Sequence, residues 1–104
     1  MARFVLVHGA WHGAWCFADV VQELEERGHA AEAVDLPCDV PGLTQHDYAA
    51  LIGPQPDAIL VGHSLGAQTI PHVTARRRVY LGGLLPVAGA YDEAFAEGFG
   101  GTLR

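Results

Sequence analysis

The chain has 104 residues, of which 50% are hydrophobic and 17% charged, and its formal net charge is −6. A chain of this length forms at most one domain, and its apolar content requires a core, which excludes a disordered acidic tail. Its six arginines, with no lysine, are too few for the basic surface that nucleic-acid binding needs, so no nucleic-acid partner is expected.

The lengths of the apolar runs and the number of cysteines bear on whether the protein is cytoplasmic, secreted or membrane-bound. No apolar run approaches the roughly 18 residues of a membrane span, and Phe4–Val7 is too short for the core of a signal peptide. Cys16 and Cys38 are too few for a disulfide framework or a zinc site, so both are interpreted as reduced thiols. The sequence therefore predicts a cytoplasmic protein without membrane contact and without a metal or other cofactor.

The first third of the chain predicts a strand, a helix and a second strand. Arg3–Val7 is an almost continuous apolar run, typical of a strand buried on both faces. From Phe17 to Gly28, apolar residues recur at helical spacing, which predicts a helix with one buried stripe. Ala31–Leu36 is a short strand candidate that stops at Pro37. This order is the crossover unit of a parallel sheet.

The middle of the chain predicts a loop-rich stretch and then a further strand and helix. The only helical pattern in the loop-rich part is Tyr48–Ile52, and Asp57–Val61 is the third strand. A helix is then expected from Leu65 to about Arg77. Pro71 should kink this helix or end it early, because proline removes one hydrogen bond from a helix interior.

The last part predicts a fourth strand and a tail. Arg76, Arg77 and Arg78 are expected to offset the negative C-terminal end of the preceding helix. Val79–Leu81 is the fourth strand, and the Gly-rich remainder shows only a weak helical pattern. We expect a single α/β domain with about four parallel strands and crossover helices, its core elements in residues 1–86 and a loop or the start of a cap in 87–104.

The single serine of the chain lies between two glycines. Gly62, Ser64 and Gly66 form the pattern G-x-S-x-G directly after the third strand. In a nucleophile elbow this pattern makes a sharp strand-to-helix turn that lifts the serine hydroxyl above the sheet, and side chains at the glycine positions would clash. The alternative is a glycine-rich turn with a solvated serine. The strand before and the helical pattern after it favour Ser64 as a catalytic nucleophile.

A second glycine-containing loop is expected beside this serine. The loops that follow neighbouring strands of a parallel sheet meet at one edge, and the loop from His8 to Gly13 follows the first strand. The N–H of Leu65, directly after the serine, is the first candidate donor to an oxyanion, and a second donor must come from such a loop. The glycine spacing of this loop is not that of a dinucleotide site, and a P-loop is impossible without lysine.

The two motifs resemble the N-terminal half of the α/β-hydrolase fold. The resemblance rests on Phe4–Trp15 (FVLVHGAWHGAW), Val34–Pro37 (VDLP) and Leu60–Ala67 (LVGHSLGA), in that order. It covers roughly Arg3–Pro86. Within the fold, the pattern is similar to the small esterase branch that includes plant methylesterases and hydroxynitrile lyases.

This resemblance implies a serine hydrolase of the carboxylesterase type with a small ester-like substrate. It implies Ser64 as the nucleophile and the backbone N–H groups of Ala10 and Leu65 as the oxyanion hole. The lyases of this branch tend to have threonine after the first histidine of the loop. This chain has Gly9 there, which favours an esterase over a lyase.

The remaining residues of the first loop are candidates for the pocket or its support. Trp11 and His12 are expected to line the pocket, whereas Trp15 is expected to pack in the core. His8 is expected to be a packed, hydrogen-bonded residue. His8 and His12 have a metal-ligand spacing only if they lie on one helix face, and they lie in a loop, so no metal site is predicted.

The base and the acid of a catalytic triad are missing from the pattern. In this fold the acid and the histidine follow the serine in the chain, and the only later histidine, His72, lies in the helix that leads away from the site. His12 is on the right face but in the wrong loop, and His63 is expected to point below the elbow. We therefore expect a truncated, N-terminal portion of the fold with impaired activity. Two acidic residues of the tail could occupy the acid position, Asp92 and Glu93.

Two further classes of function remain open. The chain could be a non-catalytic binding module, or one half of a two-chain enzyme whose partner supplies the acid and the histidine. The fourth strand would leave unpaired N–H and C=O groups at the sheet edge. We therefore expect self-association or a complementing chain.

Overall fold

The protein is described by a computed structural model that covers residues 1–10 and 12–81. Within this part, one sheet contains β1 (Arg3–Val7), β2 (Ala30–Val34), β3 (Gln55–His63) and β4 (Ala75–Leu81). The strand order is β2-β1-β3-β4, and each neighbouring pair is parallel. The predicted α/β class with about four parallel strands is confirmed.

Short helices connect these strands. The described helices are α1 (Ala18–Glu26), α2 (Gln45–Ile52) and α3 (Gly66–Thr69), with 3₁₀ turns at Ala14–Phe17 and Ile70–His72. Among the described residues, no helix has the length and apolar character needed to cross a membrane.

The core lies on both faces of the sheet. The larger apolar cluster includes Val5 and Leu60 of the central strands and Tyr48 of α2. The smaller cluster lies on the other face and includes Leu6 with Phe17, which precedes α1. Adjacent residues of β1 belong to different clusters because side chains alternate along a strand. This two-sided burial explains the nearly continuous apolar run of the first strand.

The helix after Ser64 is much shorter than expected. The predicted extension to about Arg77 is wrong, whereas the early end expected at Pro71 is confirmed: α3 ends at Thr69, and Pro71 lies in the 3₁₀ turn that follows. Proline cannot donate the next backbone hydrogen bond, and Val73 returns to an extended conformation.

The arginine run lies in β4 and not at a helix end. The prediction that Arg76, Arg77 and Arg78 follow a helix is therefore also wrong. One of them still bonds to carbonyl groups of the short helical segment: the Arg78 guanidinium donates to the carbonyl oxygens of Ile70 at 2.9 Å and Val73 at 2.6 Å.

Other element boundaries shift by a few residues. The second strand ends at Val34 and not at Leu36. The helix predicted at Tyr48–Ile52 starts earlier, at Gln45, because Thr44 and Asp47 form a capping box that satisfies backbone N–H groups at its start. Trp11 and residues 82–104 lie outside the described residues, and so do the predictions that fall on them, including those for Asp92, Glu93 and the 87–104 segment.

Candidate active site

Ser64 occupies a strained turn between β3 and α3. Its φ angle is 55°, and it is the only described non-glycine residue with a positive φ. Such a conformation disfavours an L-residue and persists only where the surroundings hold it. The N–H of Ser64 donates to the carbonyl of Leu81 at 3.1 Å, and its own carbonyl accepts from the N–H of Ala67 at 3.0 Å. The turn therefore holds Ser64 in a conformation that needs support from its neighbours.

The glycines on either side of Ser64 are required by close backbone packing. A Cβ on Gly66 would lie 2.5 Å from the carbonyl oxygen of Val7 and 2.8 Å from that of His8. A Cβ on Gly62 would lie 3.0 Å from the N atom of Ala67 and 2.9 Å from a methyl group of Ile70. The turn at Ser64 is therefore packed tightly against the C-terminal end of β1.

The loop after β1 lies directly against the serine. A Cβ on Gly9 would lie 3.2 Å from Ser64 Cβ and 3.4 Å from the carbonyl oxygen of His63. Ala10 and Leu65 are both buried and line the same narrow pocket. Neither backbone N–H donates a hydrogen bond to another described residue. The structure thus places Gly9 against Ser64, and Ala10 and Leu65 along one pocket.

The first loop is anchored to the segment that follows β2. The N–H of Leu36 donates to Nε2 of His8 at 2.8 Å, and the N–H of Ala14 donates to the carboxylate of Asp35 at 2.9 Å. Since Nε2 of His8 accepts a hydrogen bond, the ring proton is on Nδ1, which donates to the carbonyl of Gly9 at 2.6 Å. His8, only 1% exposed, is the packed, hydrogen-bonded residue that was predicted.

Replacing His8 by phenylalanine tests this anchor. Phenylalanine fills a similar volume but leaves the buried N–H of Leu36 without its acceptor, so the free energy of unfolding should fall by about 1–3 kcal/mol. Urea denaturation measures the change. His29→Phe is the control, since His29 accepts a bond only from the N–H of Ala2 in a less buried place. An equal loss in both variants would contradict the role assigned to His8.

A cluster of rings lies beside the serine. His12 Nδ1 and Ser64 Cβ lie within 3.5 Å and 3.2 Å of the same point above Gly9, so they are less than about 7 Å apart. The ring of His12 contacts those of Trp15 and His63, with centroids 5.8 Å and 5.6 Å away. Trp15 was expected in the core, and this is wrong: it is 70% exposed, because it lies in the 3₁₀ turn at the outer edge of the loop.

The pocket under the first loop contains a cysteine and a tyrosine. Cys38 and Tyr48 are both buried and line the pocket together with Ala10, Leu65 and Thr69. Burial raises the pKa of the Cys38 thiol and that of the Tyr48 hydroxyl. Both groups therefore stay protonated at neutral pH, and Cys38 is not a rival nucleophile to Ser64.

The described histidines other than His12 and His63 lie away from Ser64 or are already engaged. Both ring nitrogens of His8 make hydrogen bonds. His29 bonds near the start of β1, and His46 contacts His72 at a separate cleft. Among the described residues, no hydrogen bond reaches the Ser64 hydroxyl, and no three potential metal ligands converge.

Comparison with known proteins identifies the family. The model of a family described as "Alpha/beta hydrolase family" matches residues 4–103. The chain belongs to the alpha/beta hydrolase family. The parallel sheet is accordingly an α/β-hydrolase sheet, and the expectation of this fold is confirmed.

Several relatives of this alpha/beta hydrolase are named esterases. It is 36% identical to a carbendazim hydrolyzing esterase of Nocardioides sp. (strain SG-4G), over 86% of this chain and 45% of the relative. It is 38% identical to methylesterase 7 of Arabidopsis thaliana, over 62% of this chain and 30% of the relative. The chain thus spans less than half the length of these curated relatives, and the family relation supports a carboxylesterase-like hydrolase.

A solved structure shares the same fold. A variant of tomato methylketone synthase I is 31% identical, superposes with a TM-score of 0.69, and is matched over 89% of this chain and 45% of its own. The expected likeness to the methylesterase side of the fold is therefore confirmed.

Proposed function

We propose that this chain carries the nucleophile and the oxyanion hole of a carboxylesterase that acts on small esters. Ser64 is the nucleophile, and the N–H groups of Ala10 and Leu65 form the oxyanion hole. The observation that carries this proposal is the positive φ of Ser64, held between two glycines that admit no side chain, with the Gly9 backbone against it. The esterases among its relatives support the same reaction class.

The reaction is acyl transfer in two steps. The Ser64 hydroxyl oxygen attacks the ester carbonyl carbon and loses its proton to a base, and the N–H groups of Ala10 and Leu65 stabilise the oxyanion that forms. The alcohol then leaves with a proton, and water hydrolyses the acyl-serine. Because α3 has only four residues, these two N–H groups, and not a helix dipole, supply the stabilisation.

The base is the missing part of this mechanism. His12 is near Ser64 but makes no hydrogen bond to it, and no carboxylate among the described residues orients His12 toward the serine. We propose that the 104 residues alone are impaired, and that full activity requires a histidine and a carboxylate from a further segment or a second chain. Reduced thiols and a cytoplasmic location are part of the same proposal.

Labelling with a fluorophosphonate tests the elbow without requiring turnover. Because Ser64 is the only serine, a label detected by mass spectrometry is assigned to it directly, and Ser64→Ala shows the background. The folded chain should be labelled faster than the same chain in urea, since only the folded oxyanion hole stabilises the attack. Equal rates in the two states would refute the proposed site.

The outer edge of β4 is the second part of the proposal. β4 pairs with β3 on one side, and among the described residues it has no strand on the other. Val79, Tyr80 and Leu81 are each 41–44% exposed. An exposed edge with apolar side chains is a template for pairing with another strand. We propose that the chain associates along β4, with a second copy when it is alone.

Sedimentation velocity at micromolar concentration should therefore show a species larger than the monomer. Val79→Lys should shift it toward the monomer, because it extends the charge of Arg76–Arg78 into the apolar end of the edge, and charge opposes pairing. Val20→Lys is a matched control, since Val20 is 43% exposed on α1, far from this edge. A sharp monomer for the unmodified chain would contradict the proposal.

A further inference from the structure

Two histidines from different elements meet outside the candidate active site. His46 lies in the first turn of α2, and His72 ends the 3₁₀ turn that follows α3. Their ring centroids are 4.2 Å apart, and the ring planes are tilted by 53°. Both rings line a solvent-open cleft of about 320 Å³, together with Ala49, Gly53 and Thr74.

The backbone under each ring is held in place. His46 follows the capping box of Thr44 and Asp47, which fixes the start of α2. The segment that contains His72 is held by the Arg78 guanidinium, which donates to two of its carbonyl groups. The two imidazoles therefore do not have to be brought together by ordering a flexible loop, which lowers the cost of binding a shared ligand.

The charges near the pair leave the imidazoles available as ligands. Asp47 of α2 and Arg78 of β4 are engaged in the hydrogen bonds just described, and β4 also carries Arg76 and Arg77. Neutral imidazole is a preferred ligand of Zn²⁺, Ni²⁺ and Cu²⁺.

We propose that His46 and His72 together bind a divalent transition-metal ion, with water from the cleft completing its coordination. Two imidazole nitrogens on one tetrahedral ion lie about 3.3 Å apart, given metal–nitrogen bonds of about 2.0 Å. The centroids of two such rings lie about 5 Å apart, so these rings, with centroids 4.2 Å apart, must rotate outward by about 1 Å to share an ion. The ion would link α2 to the Ile70–His72 turn. The site does not take part in the proposed esterase reaction.

The site has a limited ligand set. Within residues 1–10 and 12–81, no group of three or more histidine, cysteine or acidic side chains converges. The affinity should therefore be well below that of a structural zinc centre, which uses four protein ligands.

Calorimetric titration of the full chain with ZnCl₂, CuCl₂ and MgCl₂ tests the proposal, with thermal unfolding as a second readout. Zn²⁺ and Cu²⁺ should bind one ion per chain and raise the midpoint of unfolding, Cu²⁺ more tightly than Zn²⁺, whereas Mg²⁺ should not bind. His46→Gln and His72→Gln should each weaken binding at least about tenfold. Both rings are exposed, so the metal-free variants should unfold at nearly the parent temperature.

His12→Gln is the matched control, because His12 and His63 form the other close histidine pair, at 5.6 Å. It should leave the affinity unchanged. Binding that survives both His46→Gln and His72→Gln, or that is lost only in His12→Gln, would overturn the proposal. Because the readouts are binding and stability, an inactive Ser64 would leave the result interpretable.

Discussion

Replacing Gly66 by alanine should lower the free energy of unfolding by at least about 3 kcal/mol. The added methyl group would lie 2.5 Å and 2.8 Å from the carbonyl oxygens of Val7 and His8. These are backbone atoms at the end of the central strand β1, so they cannot move aside as a flexible side chain can. Relief of the clash requires α3 to separate from β1, which also opens the core beneath it. Urea denaturation followed by circular dichroism measures the loss.

A graded series of glycine variants separates this clash from other effects of adding a methyl group. Gly62→Ala should have an intermediate effect, since its closest contacts are a movable methyl group of Ile70 and backbone atoms at 3.0 Å. Gly28→Ala meets nothing within 4 Å, but its φ of 86° should still cost about 1–2 kcal/mol. If Gly66→Ala is too unstable to measure, the loss of unfolding free energy in Gly62→Ala can still be compared with that in Gly28→Ala. A Gly66→Ala loss no larger than that of Gly28→Ala would contradict the packing argument.

The same close packing explains how a strained serine is maintained. The elbow stores an unfavourable conformation at Ser64, and the contacts that hold it come from β1 and from the hydrogen bond to Leu81 of β4. Loosening either side should let Ser64 relax to a negative φ, which would also reorient the N–H of Leu65 directly after it. Stability of the sheet and geometry of the candidate oxyanion hole therefore depend on the same atoms.

Features that depend on residues close together in the sequence could be predicted. The buried strand Arg3–Val7 and the parallel α/β class follow from continuous apolar runs alternating with a helical pattern. The contact between the first loop and Ser64 also follows from local rules, because the loops after adjacent parallel strands share one edge. Gly62 and Gly66 then specify the sharp turn at Ser64, and Gly9 allows the first loop to approach it closely. These features of the fold and the candidate site need no knowledge of distant contacts.

Features that depend on tertiary contacts could not be predicted. The arginine run looked like a helix end, but pairing of β4 with β3 extended the strand through it. Trp15 was predicted to lie in the core because it is large and apolar, but the 3₁₀ turn that contains it leaves it 70% exposed. The contact between His46 and His72 joins two elements that are distant in the chain, and no spacing rule connects them. The capping residues Thr44 and Asp47 were a detectable local signal for an earlier start of α2.

Supplying the missing base should produce the largest change in activity. A chimera that joins residues 1–81 of this chain to the remainder of the Nocardioides esterase, at the corresponding position, would restore the segment that the chain does not match in that relative. Removing the histidine of a serine triad costs about 10⁶ in turnover. The chimera should therefore hydrolyse p-nitrophenyl acetate at least about 10³-fold faster than the 104-residue chain, with allowance for imperfect joining.

Ser64→Ala decides whether that activity belongs to this elbow. In the chimera it should return the rate to that of the 104-residue chain, whereas in the 104-residue chain it should change the rate only a few-fold, because an unactivated serine contributes little. Thermal unfolding of both chimeras establishes that they fold equally well. A folded chimera no faster than its Ser64→Ala variant would refute Ser64 as the nucleophile. A large effect of Ser64→Ala in the 104-residue chain would instead identify a base already present, and His12 is the residue placed to be it.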